Sequence, residues 1–236
     1  MSLVLTPSTL HEFYAARESD GAAASGVGMA LAGLDRQRSI LWVRHGAVDR
    51  EIGAPYGPGL AEYGQDPGRV VLLAARDPMA ALQAGLEGAR TAGLAAVAIE
   101  LWGEAKAYDL TASRRLVLAA RTSGTLVLVT RIAAEPRASA AETRWRLTAA
   151  PSRALPARAP GAPAFDLTLL RARDGREGLR LLVEWNRDER RFVARDGAVD
   201  ADLAAPSRRG DGAAPSGAVV AVSFDRSDPG PNRRTG

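Results

Sequence analysis

Leu94-Ala-Ala-Val-Ala-Ile-Glu-Leu-Trp-Gly103 decides how this 236-residue chain is read. It is an apolar run that carries one carboxylate, Glu100, near its end and breaks at Gly103. A run of this length between two helical periods predicts a buried central strand of a parallel sheet. A carboxylate at the C-terminal end of such a strand lies at the rim where α/β proteins place their ligands. An NTPase would use that position to hold magnesium. The stretch that follows, TASRRLVLAA from Thr111 to Ala120, predicts a helix behind the strand, with Leu116, Ala119 and Ala120 toward the core.

Working outward, the same alternation recurs. LHEFYA (Leu10–Ala15), SILWV (Ser39–Val43), Val70–Ala75 and Leu126–Thr130 have strand character. Between them, Gly26–Leu34 predicts a short helix, Arg44–Gly59 a glycine- and proline-rich loop, and Leu60–Tyr63 a brief helix that follows it and stops before Asp66-Pro67. Asp77 followed by Pro78 is a helix start: the carboxylate caps, and proline needs no amide partner in the first turn. Met79, Leu82, Leu86 and Ala89 then repeat at helical spacing. Thr111 is expected to cap the next helix and Gly124 to end it. Strands alternating with helices predict βαβ units and a mostly parallel sheet.

The pattern changes after residue 136. Thr143–Thr148, Asp166–Arg173 and Leu179–Trp185 have strand composition with no helix between them, and Asp174-Gly175 is a hairpin signal. An antiparallel extension over residues 137–195 is therefore expected beside a parallel core that ends near residue 135. Residues 196–236 are rich in Ala, Gly, Pro, Asp and Arg and predict a disordered tail, with one apolar island at Ala218–Phe224.

Composition limits the chemistry. The chain has no cysteine, which removes disulfides, thiolate catalysis and zinc–thiolate sites, and makes a reducing cytoplasm the expected compartment. No stretch approaches the eighteen or so apolar residues of a membrane span. His11 and His45 are the only histidines, so a histidine-based metal site is not expected. The net charge of +4 is unevenly placed. Residues 137–195 carry 13 basic and 7 acidic side chains, whereas the segments on either side are each net −1. Every cation in that segment is arginine, whose planar fork suits phosphates and carboxylates.

A phosphate-binding loop needs G-x-x-x-x-G-K-[ST] between strand and helix. Its glycines bring amides around the phosphates, its lysine meets the charge, and its hydroxyl holds magnesium. Gly21 and Gly26 supply the glycine frame in the right context, but Val27 and Gly28 follow. Both chemical groups are missing, so no catalytic residue, metal ligand or cofactor is assigned, and the frame by itself reads as a tight glycine-rich turn.

The order of elements resembles the RecA core. Val97-Ala-Ile-Glu-Leu101 is similar to its magnesium-holding strand, and Asp77-Pro-Met-Ala-Ala-Leu82 to an earlier helix. LTASRRL (Leu110–Leu116), TRWR (Thr143–Arg146), APSR (Ala150–Arg153) and PAFDLTLLR (Pro163–Arg171) resemble the ImuA family of RecA-like accessory proteins in bacterial mutagenic DNA repair. The resemblance runs from about His11 to Trp185 and implies a RecA-like α/β domain over residues 1–195. It further implies an SOS-induced, non-catalytic partner of ImuB, which is itself similar to a lesion-bypass polymerase. An error-prone replicative-type DNA polymerase would work with them, and RecA or DNA could be contacted. Set against the RecA ATPase, the acidic pair after the second strand falls near Arg44-His45, and only Glu100 remains at the metal position. The resemblance thus implies a vestigial site, with an unconventional ATPase or recombinase-like motor as the rival and a role for His45 as substitute base the remotest option.

The arginines supply the other candidates. Adjacent Arg114 and Arg115 on a helix point about 100° apart, so one can face the sheet rim while the other is solvated. In Thr143–Leu147, alternation puts Thr143, Trp145 and Leu147 on one face and Arg144 and Arg146 on the other. Arg171 and Arg173 continue toward the hairpin tip. Together they are candidates for contact with a partner or with DNA phosphates, in competition with local pairing to the interspersed acids and with plain solubility.

Overall fold

The computed structural model describes residues 5–33, 35, 37–153, 155–156 and 159–195. The tail 196–236, its island Ala218–Phe224 and the helix end expected at Leu34 lie outside the described residues. Among the described residues, nine strands form one sheet in the order β3-β2-β4-β5-β1-β6-β7-β8-β9. They are β1 Leu10–Ala15, β2 Ser39–His45, β3 Val70–Ala75, β4 Leu94–Trp102, β5 Leu126–Ile132, β6 Thr143–Ala150, β7 Ala164–Ala172, β8 Arg180–Asn186 and β9 Arg191–Ala194. The opening stretch is β4, buried from Ala95 to Leu101 and placed between β2 and β5.

Among the described residues, five α-helices accompany the sheet: α1 Gly21–Ala32, α2 Gly46–Ile52, α3 Gly57–Glu62, α4 Pro78–Ala89 and α5 Leu110–Ser123. The alternation of β4 divides the core. Ala96 and Ala98 face a cluster that includes Val27, Met29 and Leu31 of α1, while Val97, Ile99 and Leu101 face Leu82 of α4 and Leu116 of α5. Helix α4 lies close on the sheet because it presents glycine: a Cβ at Gly88 would stand 2.5 Å from Leu41 Cδ2 and one at Gly85 2.2 Å from Ile99 Cδ1. Asp77 caps α4 by accepting from the Ala80 amide at 2.7 Å. The cap of α5 is Asp109, accepting from Ala112 N at 2.7 Å, so the helix starts one residue before the expected Thr111 cap. Gly124 ends α5 in the left-handed region at φ +78°, where a Cβ is unfavourable.

Three expectations need correction. Gly21–Gly26 is not a loop: a 3-10 turn at Glu18–Asp20 runs straight into α1, whose first residue is Gly21. The Arg44–Gly59 segment holds two helices, α2 and the start of α3, beyond a strand that continues to His45. The antiparallel extension begins at β7, because β6 pairs parallel with β1. The segment 133–142 returns from the end of β5 to the start of β6 without a helix, so the crossover left no helical period in the sequence. The core of parallel strands therefore extends to Ala150.

The α1 side of β6–β9 is closed by aromatics: Tyr63 against Trp185 at 5.5 Å, Trp185 against Phe192 at 5.0 Å, and Phe165 edge-on to Phe192. Trp185 Nε1 donates to the Glu62 carbonyl at 2.9 Å, which ties α3 to β8. On the opposite side, α5 is the last helix before the β6–β7 hairpin, and an open face begins there.

Candidate functional site

Glu100 sits where β4 approaches its C-terminal end, with Arg44 of β2 directly beside it in register. Arg44 Nε donates to Glu100 Oε2 at 2.7 Å, and both side chains are 2% exposed. The same guanidinium also pairs with Asp49 of α2, donates to the Gly53 carbonyl at 3.1 Å, and lies over the Trp42 ring. Burial pushes the Glu100 carboxyl above the usual range, and Arg44 draws it back. The hydroxyl of Ser25 and the indole N–H of Trp42 lie near Glu100 without reaching hydrogen-bond geometry.

The position a metal would occupy in an NTPase is therefore served by a fixed internal cation. Where a phosphate loop would open, α1 is packed against the sheet rim: a Cβ at Gly21 would stand 2.8 Å from Ile52 and 3.0 Å from Ile132. A Cβ at Gly26 would meet the Tyr63 ring at 3.5 Å. Gly21 therefore serves close packing, the Gly26 contact is an ordinary van der Waals distance within α1, and Val27 is fully buried. These residues do not fit a nucleotide with its magnesium. Among the described residues no group of three or more His, Cys, Asp or Glu could hold a metal ion, and no helix is long and apolar enough to cross a membrane.

His45 is occupied as well. Its Nε2 accepts from the Trp102 amide at 2.9 Å, and burial, with Arg50 nearby, holds its pKa below the ordinary value. A neutral imidazole that accepts a backbone bond is structural, which speaks against service as a base. His11 is enclosed in a chain of bonds. Trp145 Nε1 donates to Thr143 Oγ1 at 2.8 Å, that hydroxyl donates to His11 Nδ1 at 2.7 Å, and Nε2 donates to the Thr6 carbonyl at 2.9 Å.

The arginine candidates do converge. A groove of about 560 Å³ opens between α5 and the β6–β7 hairpin, and Arg114, Arg121, Arg144, Arg171 and Arg173 line it with no acidic residue among the lining. Arg144 forms the floor: its Nε donates to the fully buried Glu12 at 2.8 Å, and its Nη2 to Ser139 Oγ at 2.7 Å. Tyr108 donates its hydroxyl to the other oxygen of Glu12. Burial and the Glu12 charge hold that phenol well above its ordinary pKa. Buried Arg131 stacks between Tyr14 and Tyr108 at 5.8 and 5.2 Å and donates to the carbonyls of Gly103 and Glu104.

A β-bulge, with no signal in the sequence, aims the outer arginines. Trp145 pairs with Leu169, but Arg144 pairs with Arg171, leaving Leu170 as the extra residue. The slip places Arg171 on the face of Arg144 and, two residues on, Arg173 beside it. Arg114 and Arg115 splay as the helix requires: Arg114 enters this groove, and Arg115 lines a separate cleft of about 400 Å³ between α4 and α5, with Met79 and Leu82. Arg146 is exposed, lies further along β6 and is outside the groove lining.

Much of the remaining basic segment is neutralised locally, as its interspersed acids allowed. Arg176 pairs with Asp174, Arg180 with Asp166, Arg191 with Glu189, Arg187 with Glu62 and Arg195 with Glu184. Among the described residues, no carboxylate lies within ion-pair distance of Arg114, Arg146, Arg171 or Arg173, and Arg121 reaches Glu142 only at 3.9 Å. Three cations without an ion pair among the described residues, Arg114, Arg171 and Arg173, thus share one groove, whereas Arg115 and Arg146 lie outside its lining.

No family model matches the chain. Among solved structures, the RadB recombinase has a similar fold, with TM-score 0.50 and 16% identity over 77% of this chain and 89% of that one. The sheet is thus of the RecA-like recombinase type. Among curated proteins, Protein ImuA from two strains of Caulobacter vibrioides is 34% identical over 153 residues, 56% of this chain. The chain spans 61% of the length of these relatives. The matched relatives bear the name of the family that LTASRRL and PAFDLTLLR resemble: the chain is similar to ImuA and has a RecA-like fold.

Proposed function

We propose that this protein is a RecA-like accessory protein of error-prone translesion DNA synthesis in the SOS response, acting as a non-catalytic scaffold. The observation that carries this is the Arg44–Glu100 pair, which places an internal cation at the rim position an ATPase would give to magnesium. The rest of the rim supports it: α1 begins at Gly21 with that glycine closely packed, and His45 is committed to the Trp102 amide. Beside the parallel sheet, α5 and the β6–β7 strands present Arg114, Arg171 and Arg173 with no ion pair among the described residues. Such a surface suits assembly.

The similarity to Protein ImuA points to ImuB, the polymerase-like protein, as the direct partner, with an error-prone replicative-type polymerase joined through it. Co-purification of the full chain with ImuB at micromolar concentration tests the scaffold. A stable complex without added nucleotide is expected, and its absence counts against the proposal.

A further inference from the structure

We infer that the groove between α5 and the β6–β7 hairpin is a docking site for an acidic, leucine-bearing protein segment. The inference stands on the groove itself and goes beyond the translesion reading. Three observations specify the occupant.

The first is charge. Arg144 and Arg171 are direct cross-strand neighbours, an arrangement that is unfavourable between like charges. Among the groove arginines Glu12 pairs with Arg144, from beneath the sheet surface, and its other oxygen is taken by Tyr108. Arg114, Arg171 and Arg173 face the opening with no carboxylate of their own among the described residues, so the groove is electrostatically complete only when something anionic enters it. Guanidinium forks match carboxylates in geometry as well as sign.

The second is the apolar wall. Leu118, 64% exposed, and Leu110, 38% exposed, stand on α5 either side of Arg114, with Val117 behind them. Leu110, Arg114, Leu118 and Arg121 fall at successive turns, so α5 offers alternating apolar and cationic positions along about 16 Å of helix. An amphipathic segment carrying leucine and carboxylate at matching spacing satisfies both kinds of position.

The third is what separates this occupant from single-stranded nucleic acid. Base-tolerant binding of a single strand relies on aromatic platforms beside the cations. The lining holds leucine, valine, alanine, serine and arginine, and no aromatic residue. Nearby Tyr14 and Tyr108 are turned inward against Arg131 and are buried. Exposed leucines contribute nothing to phosphate binding, but they do contribute to binding a peptide.

Fluorescence anisotropy on the full chain tests the inference. The probe is a labelled synthetic peptide of about 12 residues with Asp or Glu and Leu at helical spacing, long enough to span the α5 face. Expected are saturable binding and loss of about tenfold or more in affinity when Asp and Glu are replaced by Asn and Gln, or Leu by Ser. Arg171→Ser with Arg173→Ser, on the exposed hairpin, should weaken binding by a similar factor, and Leu118→Ser should weaken it independently. Arg146→Ser, outside the lining, should leave it unchanged. No binding of the acidic peptide overturns the inference, as does equal binding by the Arg171/Arg173 variant when its thermal midpoint is unchanged. An oligo-dT strand that binds more tightly and displaces the peptide would reassign the groove to nucleic acid.

Discussion

Replacing Arg44 by Met removes the buried cation while keeping an unbranched apolar stem. Four contacts go with it: the 2.7 Å bond to Glu100, the pair with Asp49, the bond to the Gly53 carbonyl, and the seat over the Trp42 ring. Glu100, 2% exposed, is left as an uncompensated buried carboxylate, an arrangement that costs about 3–5 kcal/mol. A second route to the number agrees. The carboxylate can escape by taking a proton, and protonating a group whose ordinary pKa is 4.5 at pH 7 costs about 3.4 kcal/mol, at about 1.4 kcal/mol per pH unit. The charge penalty is therefore capped near that value, and the lost bond to Gly53 adds to it. In the variant the folded pKa of Glu100 lies further above its unfolded value. The folded state then binds the extra proton as pH falls, so the deficit relative to the unsubstituted protein shrinks between pH 7 and about 4.5. Adding Glu100→Gln to Arg44→Met deletes the stranded charge and should recover about 2 kcal/mol. Urea unfolding followed by tryptophan fluorescence, for the protein, both single variants and the double, measures all of this. Additive costs within about 0.5 kcal/mol, or a deficit for Arg44→Met that does not change with pH, would refute the pairing.

Gly88→Ala puts a methyl 2.5 Å from Leu41 Cδ2 beneath α4 and should destabilise by about 1–3 kcal/mol, read from the same unfolding curves. Tyr108→Phe strips buried Glu12 of one of its two side-chain partners and should cost about 1–3 kcal/mol, with a thermal midpoint that stays low at neutral pH. Burial pushes the His11 imidazole from 6.5 down to about 4, so between these values the unfolded chain binds the proton and the folded one does not. Stability attributable to His11 is therefore full above pH 6.5 and falls by about 2 kcal/mol by pH 5; His11→Gln should flatten that part of the pH–stability curve.

The parallel core was legible because its signals are local. The apolar runs of β3, β4 and β5, the Asp77-Pro78 start of α4 and the Gly124 stop of α5 each carry their own cause within a few residues. The alternation in Thr143–Leu147 likewise placed Trp145 inside and Arg146 outside. What sequence reading missed depends on partners far apart in the chain. Arg44 and Glu100 are separated by 56 positions, and only the β2–β4 register brings them together. The direction of β6 is set by its seat beside β1, across a connection that has no helix to announce a crossover. The bulge at Leu170 decides which face Arg171 and Arg173 occupy, and nothing in PAFDLTLLR marks it. Gly21 and Gly26 look the same in sequence whether they cradle a phosphate or admit Ile52 and Tyr63, so that stretch was the most easily misread.

On the proposed reading, this RecA-like sheet binds no nucleotide at its rim. Equilibrium ATP binding and phosphate release, measured with magnesium in the presence and absence of single-stranded DNA, test it most directly. Neither saturable binding nor release above background is expected under any of these conditions. Hydrolysis stimulated by DNA and abolished by Glu100→Ala would contradict the account and identify a motor with an unconventional site.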